Sequence, residues 1–214
     1  MLAHDLRNPL NTIGLNVHLA KTALEQGDPK LGPMALEHIE RAKQQMVESV
    51  DRFRALARAL YGEPVRQPVD IDRLARGVWE RLAPAGVELT IHDLPRTVGD
   101  PKLAAALLWG LIASALEAIG GRSGGVIEIG HESGSDPPVY FVADDGSDLA
   151  QGEGTADGLW VREAGASSVD PWLELAVRGV ARHGGEVRAS RRAGGGVIVH
   201  FRFGGAGAET PATE

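Results

Sequence analysis

Residues 4–26 read HDLRNPLNTIGLNVHLAKTALEQ, with apolar positions at Leu6, Leu10, Ile13, Val17, Ala20 and Leu24, spaced 4, 3, 4, 3 and 4. That heptad stripe predicts an α-helix. Gln26-Gly27-Asp28-Pro29, followed by Gly32-Pro33, breaks the helix and makes a short connection. A second stripe then runs through Ile39, Ala42, Met46, Val50, Phe53, Ala57 and Leu60. Two helices of similar length joined this way form an antiparallel hairpin over residues 1–62. Each helix has one apolar seam and nothing covers the outer side of the pair. A second copy is the simplest cover, so the expectation is a homodimer built as a four-helix bundle.

Beyond Gly62, a linker composition extends to Pro68, and the pattern then changes. Asp70 to Leu82 reads as a helix with Asp70 or Asp72 as N-cap. Val87 to Ile91 alternates like a strand. Asp100 to Ile119 reads as a long apolar helix capped by Asp100, with Pro101 at its first position. Gly125 to His131 and Pro138 to Ala143 are predicted strands, and residues 147–170 a long loop. A last helix, Pro171 to His183, precedes a hairpin of Glu186 to Arg191 and Val197 to Phe203. Gly194-Gly195-Gly196 lies in its turn. The expected fold class is α+β: the helical hairpin, then an α/β sandwich over 69–204 with helices on one face of a largely antiparallel sheet. A disordered tail is expected over 205–214.

The 214 residues carry ordinary globular shares of hydrophobic (43%) and charged (24%) residues, enough to bury a real core. A net charge of −7 argues against a nucleic-acid partner bound by phosphate neutralisation. It also gives no polybasic route to an anionic membrane. The chain has no cysteine, which removes disulfides, thiolate catalysis and Cys-type zinc sites and fits a cytoplasmic location. The longest apolar run, Leu103 to Leu116, is shorter than the roughly 18 residues that span a bilayer, so a buried helix and no direct membrane insertion are expected. No leader pattern precedes residue 4. The histidines at 18, 38, 92, 131, 183 and 200 show no metal-ligand spacing, and no metal site is predicted.

His4-Asp5-Leu6-Arg7-Asn8-Pro9-Leu10 opens the first helix. It resembles the phosphoacceptor box of two-component histidine kinases, whose pattern is His, an acid, two variable residues, Asn or Thr, then Pro. The chemistry accounts for the pattern. A neutral imidazole attacks phosphorus only when its tautomer is held and its developing charge compensated. The Asp5 carboxylate does both by accepting a hydrogen bond from the other ring nitrogen. Pro9 donates nothing to the preceding turn and loosens the helix after His4. Asn8 shares the His4 face, and the resemblance implies that it orients a water to hydrolyse the phospho-aspartate of a bound response regulator.

Residues 70–203 resemble the ATP-binding domain of the same kinases. In the family's Asn box one Asn supplies a magnesium ligand. The matching helix here has Gly110 and Ser114 at the two positions where Asn is expected. Asp144, which by resemblance bonds the adenine amino group, and Gly146 are retained, but a second glycine position holds Asp148. The turn before the last helix, in the family roughly Gly-Leu-Gly-Leu-Ala, reads Trp172-Leu173-Glu174-Leu175-Ala176. Glycines at a helix start let backbone N–H groups approach phosphates closely. Trp172 fills that space, and Glu174 adds negative charge. At about 4 Å and an effective dielectric of about 20, one like-charge contact costs roughly 4 kcal/mol, or about a thousandfold in affinity. Asp144, Gly146 and Ser114 thus define a degenerate nucleotide site.

The resemblance implies response-regulator receiver domains as partners. The leading expectation is a phosphotransfer protein in which His4, with Asp5 and Asn8, exchanges a phosphoryl group with a regulator aspartate and needs no cofactor. The alternatives are an active kinase core using Mg-ATP, should the altered site still bind it, and a non-enzymatic dimeric scaffold that sequesters regulators. A start three residues before His4 suits a stand-alone relay and equally a piece of a longer kinase.

Overall fold

The computed structural model describes residues 2–63, 65–82, 86–147, 171–192 and 194–204, with side chains for all of these except residues 2–5, 52, 171 and 172. The expected loop beyond Ser147 and the tail 205–214 lie outside the described residues. The chain divides into two compact units, Met1–Ala55 and Leu56–Glu214.

The first unit is the hairpin of α1 (Leu2–Gln26) and the larger part of α2 (Leu31–Tyr61). Gly27 ends α1 at φ 67°, a left-handed conformation that glycine adopts without strain, and the Asp28 N–H closes back onto the Ala23 carbonyl at 3.0 Å. The Asp28 carboxylate then accepts from the N–H groups of Lys30 and Leu31. Gly32 and Pro33, expected in the connection, instead lie in the first turn of α2. Proline is tolerated there because N–H groups of the first turn have no intrahelical acceptor to lose.

The seam differs from the expected one. Its buried positions are Pro9, Asn16 and Ala23 on α1, and Ala35, Ala42 and Ser49 on α2, each set seven residues apart. The stripe that sequence places in the seam is split: Leu10, Val17 and Leu24 are 52%, 40% and 84% exposed, whereas Leu6, Ile13 and Ala20 are half-buried. On α2, Val50 and Phe53 of the expected stripe are exposed, Ala42 is buried, and Ile39, Met46, Ala57 and Leu60 are half-buried. Small residues let two helices approach closely, and the large ones remain on the surface.

The second unit begins with the last turns of α2. Its helices are α3 (Ile71–Leu82), α4 (Pro101–Ile119) and α5 (Pro171–Arg182). Its strands are β1 (Gln67–Val69), β2 (Val87–Ile91), β3 (Thr97–Gly99), β4 (Gly125–His131), β5 (Tyr140–Asp144), β6 (Glu186–Arg191) and β7 (Val197–Arg202). Among the described residues one sheet runs β2-β4-β5-β7-β6, antiparallel except for the β2–β4 pair. β1 and β3 make a small antiparallel pair that sequence did not foresee, and β1 converts the end of the expected linker into structure. The strand foreseen at 138–143 is displaced to 140–144.

The core helix α4 touches β1, β4, β5, α3 and α5. It is long and apolar enough to cross a membrane, longer than the run Leu103 to Leu116 suggests. Here its side chains Leu103, Leu107, Leu108, Leu111 and Ile112 are buried in the protein core. Asp100 starts it: the carboxylate accepts from the N–H groups of Lys102 and Leu103, and Arg58 of α2 bonds it at 3.0 Å. Gly120, at φ 64°, ends it. Close by, the buried His183 ring bonds the Ala59 backbone. Burial pulls its pKa below the ordinary histidine value, so it stays neutral.

Asp100→Ala removes both the cap and the Arg58 anchor. A loss of about 1–2 kcal/mol is expected, the range of a lost N-cap. Asp100→Asn, which still caps, loses less than half as much. Urea denaturation of the two variants at pH 7 checks the ordering.

Candidate functional site

The backbone of α1 is helical through His4, while the side chains of His4 and Asp5 lie outside the described residues. Pro9 sits inside this helix and offers no N–H to the Asp5 carbonyl. Asn8 is exposed one turn beyond His4, on the same helix face. Its backbone carbonyl accepts from the Thr12 hydroxyl at 3.1 Å. The box therefore occupies a proline-modified helix start in which Asn8 is exposed.

The second group of predicted residues gathers around α4. Asp144, 4% exposed, ends β5, and its Oδ1 accepts from the Gly146 N–H at 2.9 Å. Gly146 lies against the last turn of α4. A Cβ there would fall 2.6–2.8 Å from Ala118 atoms, so the tight approach itself requires glycine. The next N–H, of Ser147, donates to the Ala118 carbonyl. At the triglycine turn, a Cβ on Gly196 would lie 2.1 Å from the Asp144 carbonyl oxygen, so the turn packs directly on this strand end.

Gly110 and Ser114 stand one turn apart on α4. A Cβ at Gly110 would lie 3.1 Å from the Leu173 Cβ and 3.2 Å from its Cα. Leu173 itself is buried. The first turn of α5 thus packs closely on Gly110, and any side chain at 110 needs Leu173 to give by a few tenths of an ångström. Asp148 and the Trp172 side chain lie outside the described residues. Glu174 is not the bare charge that the sequence argument took it for: Arg178, one turn later, bonds its Oε1 at 2.5 Å. The spacing of four residues was present in the sequence and signals that pairing.

Sequence reasoning overlooked Asp145. Its Oδ1 accepts from the Val126 N–H at 2.9 Å and from Arg122 at 2.8 Å, tying the turn after β5 to the start of β4. The Val126 hydrogen bond, joined by the Arg122 guanidinium, holds its carboxyl below the ordinary carboxylate range against the effect of burial. A depressed carboxylate pKa contributes stability that is present above the unfolded value, about 3.9, and is lost as pH falls through the folded value. Asp145→Ala is therefore expected to be less stable than the parent at pH 7, with the gap shrinking below about pH 4. Urea midpoints measured between pH 7 and pH 3 test this.

The family description "His Kinase A (phospho-acceptor) domain" matches residues 1–62. No curated protein matches the chain in sequence. Among solved structures, the Acinetobacter baumannii histidine kinase AdeS aligns with a TM-score of 0.53 at 18% identity, over 94% of this chain and 98% of that one. The mycobacterial sensor histidine kinase MprB gives 0.53 at 19% identity, over 64% of this chain and 95% of that one. A bacterial phosphotransferase gives 0.54 at 17% identity, over 94% and 91% of the two chains. At such identities the likeness is one of fold. The chain thus carries a His Kinase A (phospho-acceptor) domain over residues 1–62, and the unit that follows shares the fold of histidine-kinase catalytic domains.

Proposed function

We propose that this histidine-kinase scaffold works as a phosphotransfer protein in the cytoplasm, exchanging phosphoryl groups with response-regulator receiver domains through His4. In the proposed step a ring nitrogen of neutral His4 attacks the phosphorus of a regulator's aspartyl phosphate. The N–P bond forms as the P–O bond breaks, and the aspartate leaves as carboxylate. Asp5 holds the hydrogen on the other ring nitrogen and offsets the charge that develops. The reverse step delivers the group to a second aspartate. Asn8, exposed on the same face, is placed to orient a hydrolytic water.

The observation that carries this reading is Leu173 packed on Gly110. A magnesium-triphosphate site fits these residues poorly. One amide position is filled by a neighbouring helix, and at the other Ser114 offers a hydroxyl, a weaker magnesium ligand than an amide carbonyl. A bacterial phosphotransferase shares the fold over most of both chains, which agrees with a transfer role. The kinase reading draws on Asp144 and Gly146, whose turn is intact.

Two experiments test the proposal. Receiver domains carrying labelled phosphoryl groups should label His4, His4→Ala should abolish the label, and γ-labelled ATP with magnesium should give none. Label from ATP on His4 would make the chain an ATP-dependent kinase, and label persisting in His4→Ala would show the box misread.

The exposed Leu10, Val17 and Leu24 stripe further supports a homodimer, because a second copy covers it. Light scattering at micromolar concentration is expected to give twice the chain mass. A monomer there refutes the dimer.

A further inference from the structure

The hairpin seam holds a polar pair whose hydrogen bonds run in a fixed order. Asn16, 4% exposed on α1, donates Nδ2 to the Thr12 carbonyl at 2.8 Å. Its Oδ1 is thereby the end that meets half-buried His38 of α2, 3.2 Å from Nδ1. An amide oxygen only accepts, so Nδ1 of His38 carries the hydrogen. The chain of bonds continues towards the box, since the Thr12 hydroxyl donates to the Asn8 carbonyl.

Two stripes lie side by side on α1. Pro9, Asn16 and Ala23 line the seam, while Leu10, Val17 and Leu24, one residue further on, face out. One residue corresponds to about 100° of helix rotation. On apolar burial alone the outer stripe would fill the seam better, because Leu and Val remove more apolar surface from water than Pro, Asn and Ala do. A second copy that covers the outer stripe offsets that difference, and a directional interaction within the hairpin would favour the smaller stripe further. A hydrogen bond across the seam, satisfied at one rotation and broken at the other, has that property, and a single buried amide is known to fix helix register in this way.

We propose that Asn16 and His38 form a rotation lock on α1. The lock keeps the small stripe against α2, leaves the bulky stripe for a second copy, and sets the direction of the helix face that bears His4, twelve residues upstream on the same helix. The link to His4 rests on the phosphotransfer reading above, whereas the lock itself does not.

The chain contains no cysteine, so spin labels can be attached at two introduced ones, replacing exposed Lys21 on α1 and Gln45 on α2. Distances are read by double electron–electron resonance in samples diluted with unlabelled full-length chain. The parent should give one distance. The Asn16→Leu, His38→Leu double variant should add a second population displaced by about 8 Å, the swing of 100° on a helix roughly 10–12 Å across. Its thermal midpoint should not fall, and its rate of His4 labelling should drop at least about tenfold. The single variant His38→Asn, which keeps Asn16 and puts an amide donor near the place of Nδ1, should keep the parent's single distance and rate. A parent-like distance in the double variant overturns the lock, whatever the rate. A second distance with an unchanged rate overturns the link to His4. If the parent takes no label at all, the phosphotransfer reading fails separately, and the distances still decide the lock.

Discussion

The buried carboxylate of Asp100 is the constraint on which the second unit depends. A charge with 1% exposure is costly unless every acceptor site on it is used. Here two N–H groups of the first turn of α4 and the Arg58 guanidinium use them. The carboxylate therefore does more than start a helix, because it joins the end of α2 to the element at the centre of the core. With its polar end satisfied, α4 can be apolar on nearly every side, and α3, α5 and the sheet all pack around it. Glycines then set how closely they come. Gly179 of α5 faces Leu103 of α4, and Gly110 of α4 faces Leu173 of α5, so the two helices meet at both ends of their contact through missing side chains.

The hairpin solves its packing in the opposite way. Its seam uses alanine, serine, proline and asparagine, while Leu10, Leu15, Val17, Leu24 and Leu36 remain at the surface. A two-helix unit that stood alone would gain more by turning those stripes inward. The arrangement makes physical sense when the outer stripe has its own partner and the inner one is held by directional bonds. Under the homodimer proposal, stability within one chain is given up for a surface that another copy uses.

Much of this was legible in the sequence. The α4 cap, the Gly27 break, the strand pairs of the final hairpin and the heptad spacing all follow from local rules that tertiary contacts did not overrule. What escaped was set by partners far away in the chain. β1 and β3 are three residues each, too short to carry a period, and exist because they pair with one another. The heptad spacing identified the right helices, but it could not tell which of two adjacent stripes would face the partner helix. At the candidate site, Asp144 and Gly146 could be found because the family motif names them. Asp145 matches no motif and acts through Val126 and Arg122. Gly110 read as a missing ligand, and only its distance to Leu173 shows that it is also a packing position.

That dual role bears on how a nucleotide site is lost. Glu174, paired with Arg178, repels a phosphate far less than a bare carboxylate would. Packing at Gly110 opposes a triphosphate more directly. With glycine at 110, α5 settles onto α4 and buries Leu173, and burying a leucine stabilises the packed form by about 2 kcal/mol. Returning a side chain to 110 would press on that leucine, on a helix whose Ala176 and Val180 are also fully buried. Changing Ser114 alone to asparagine would then supply one ligand to a site whose other wall has closed. Under the phosphotransfer proposal nothing opposes that closure. On that proposal, the same apolar burial that stabilises the fold works against a triphosphate site, and the missing amide at 110 and the close helix packing go together.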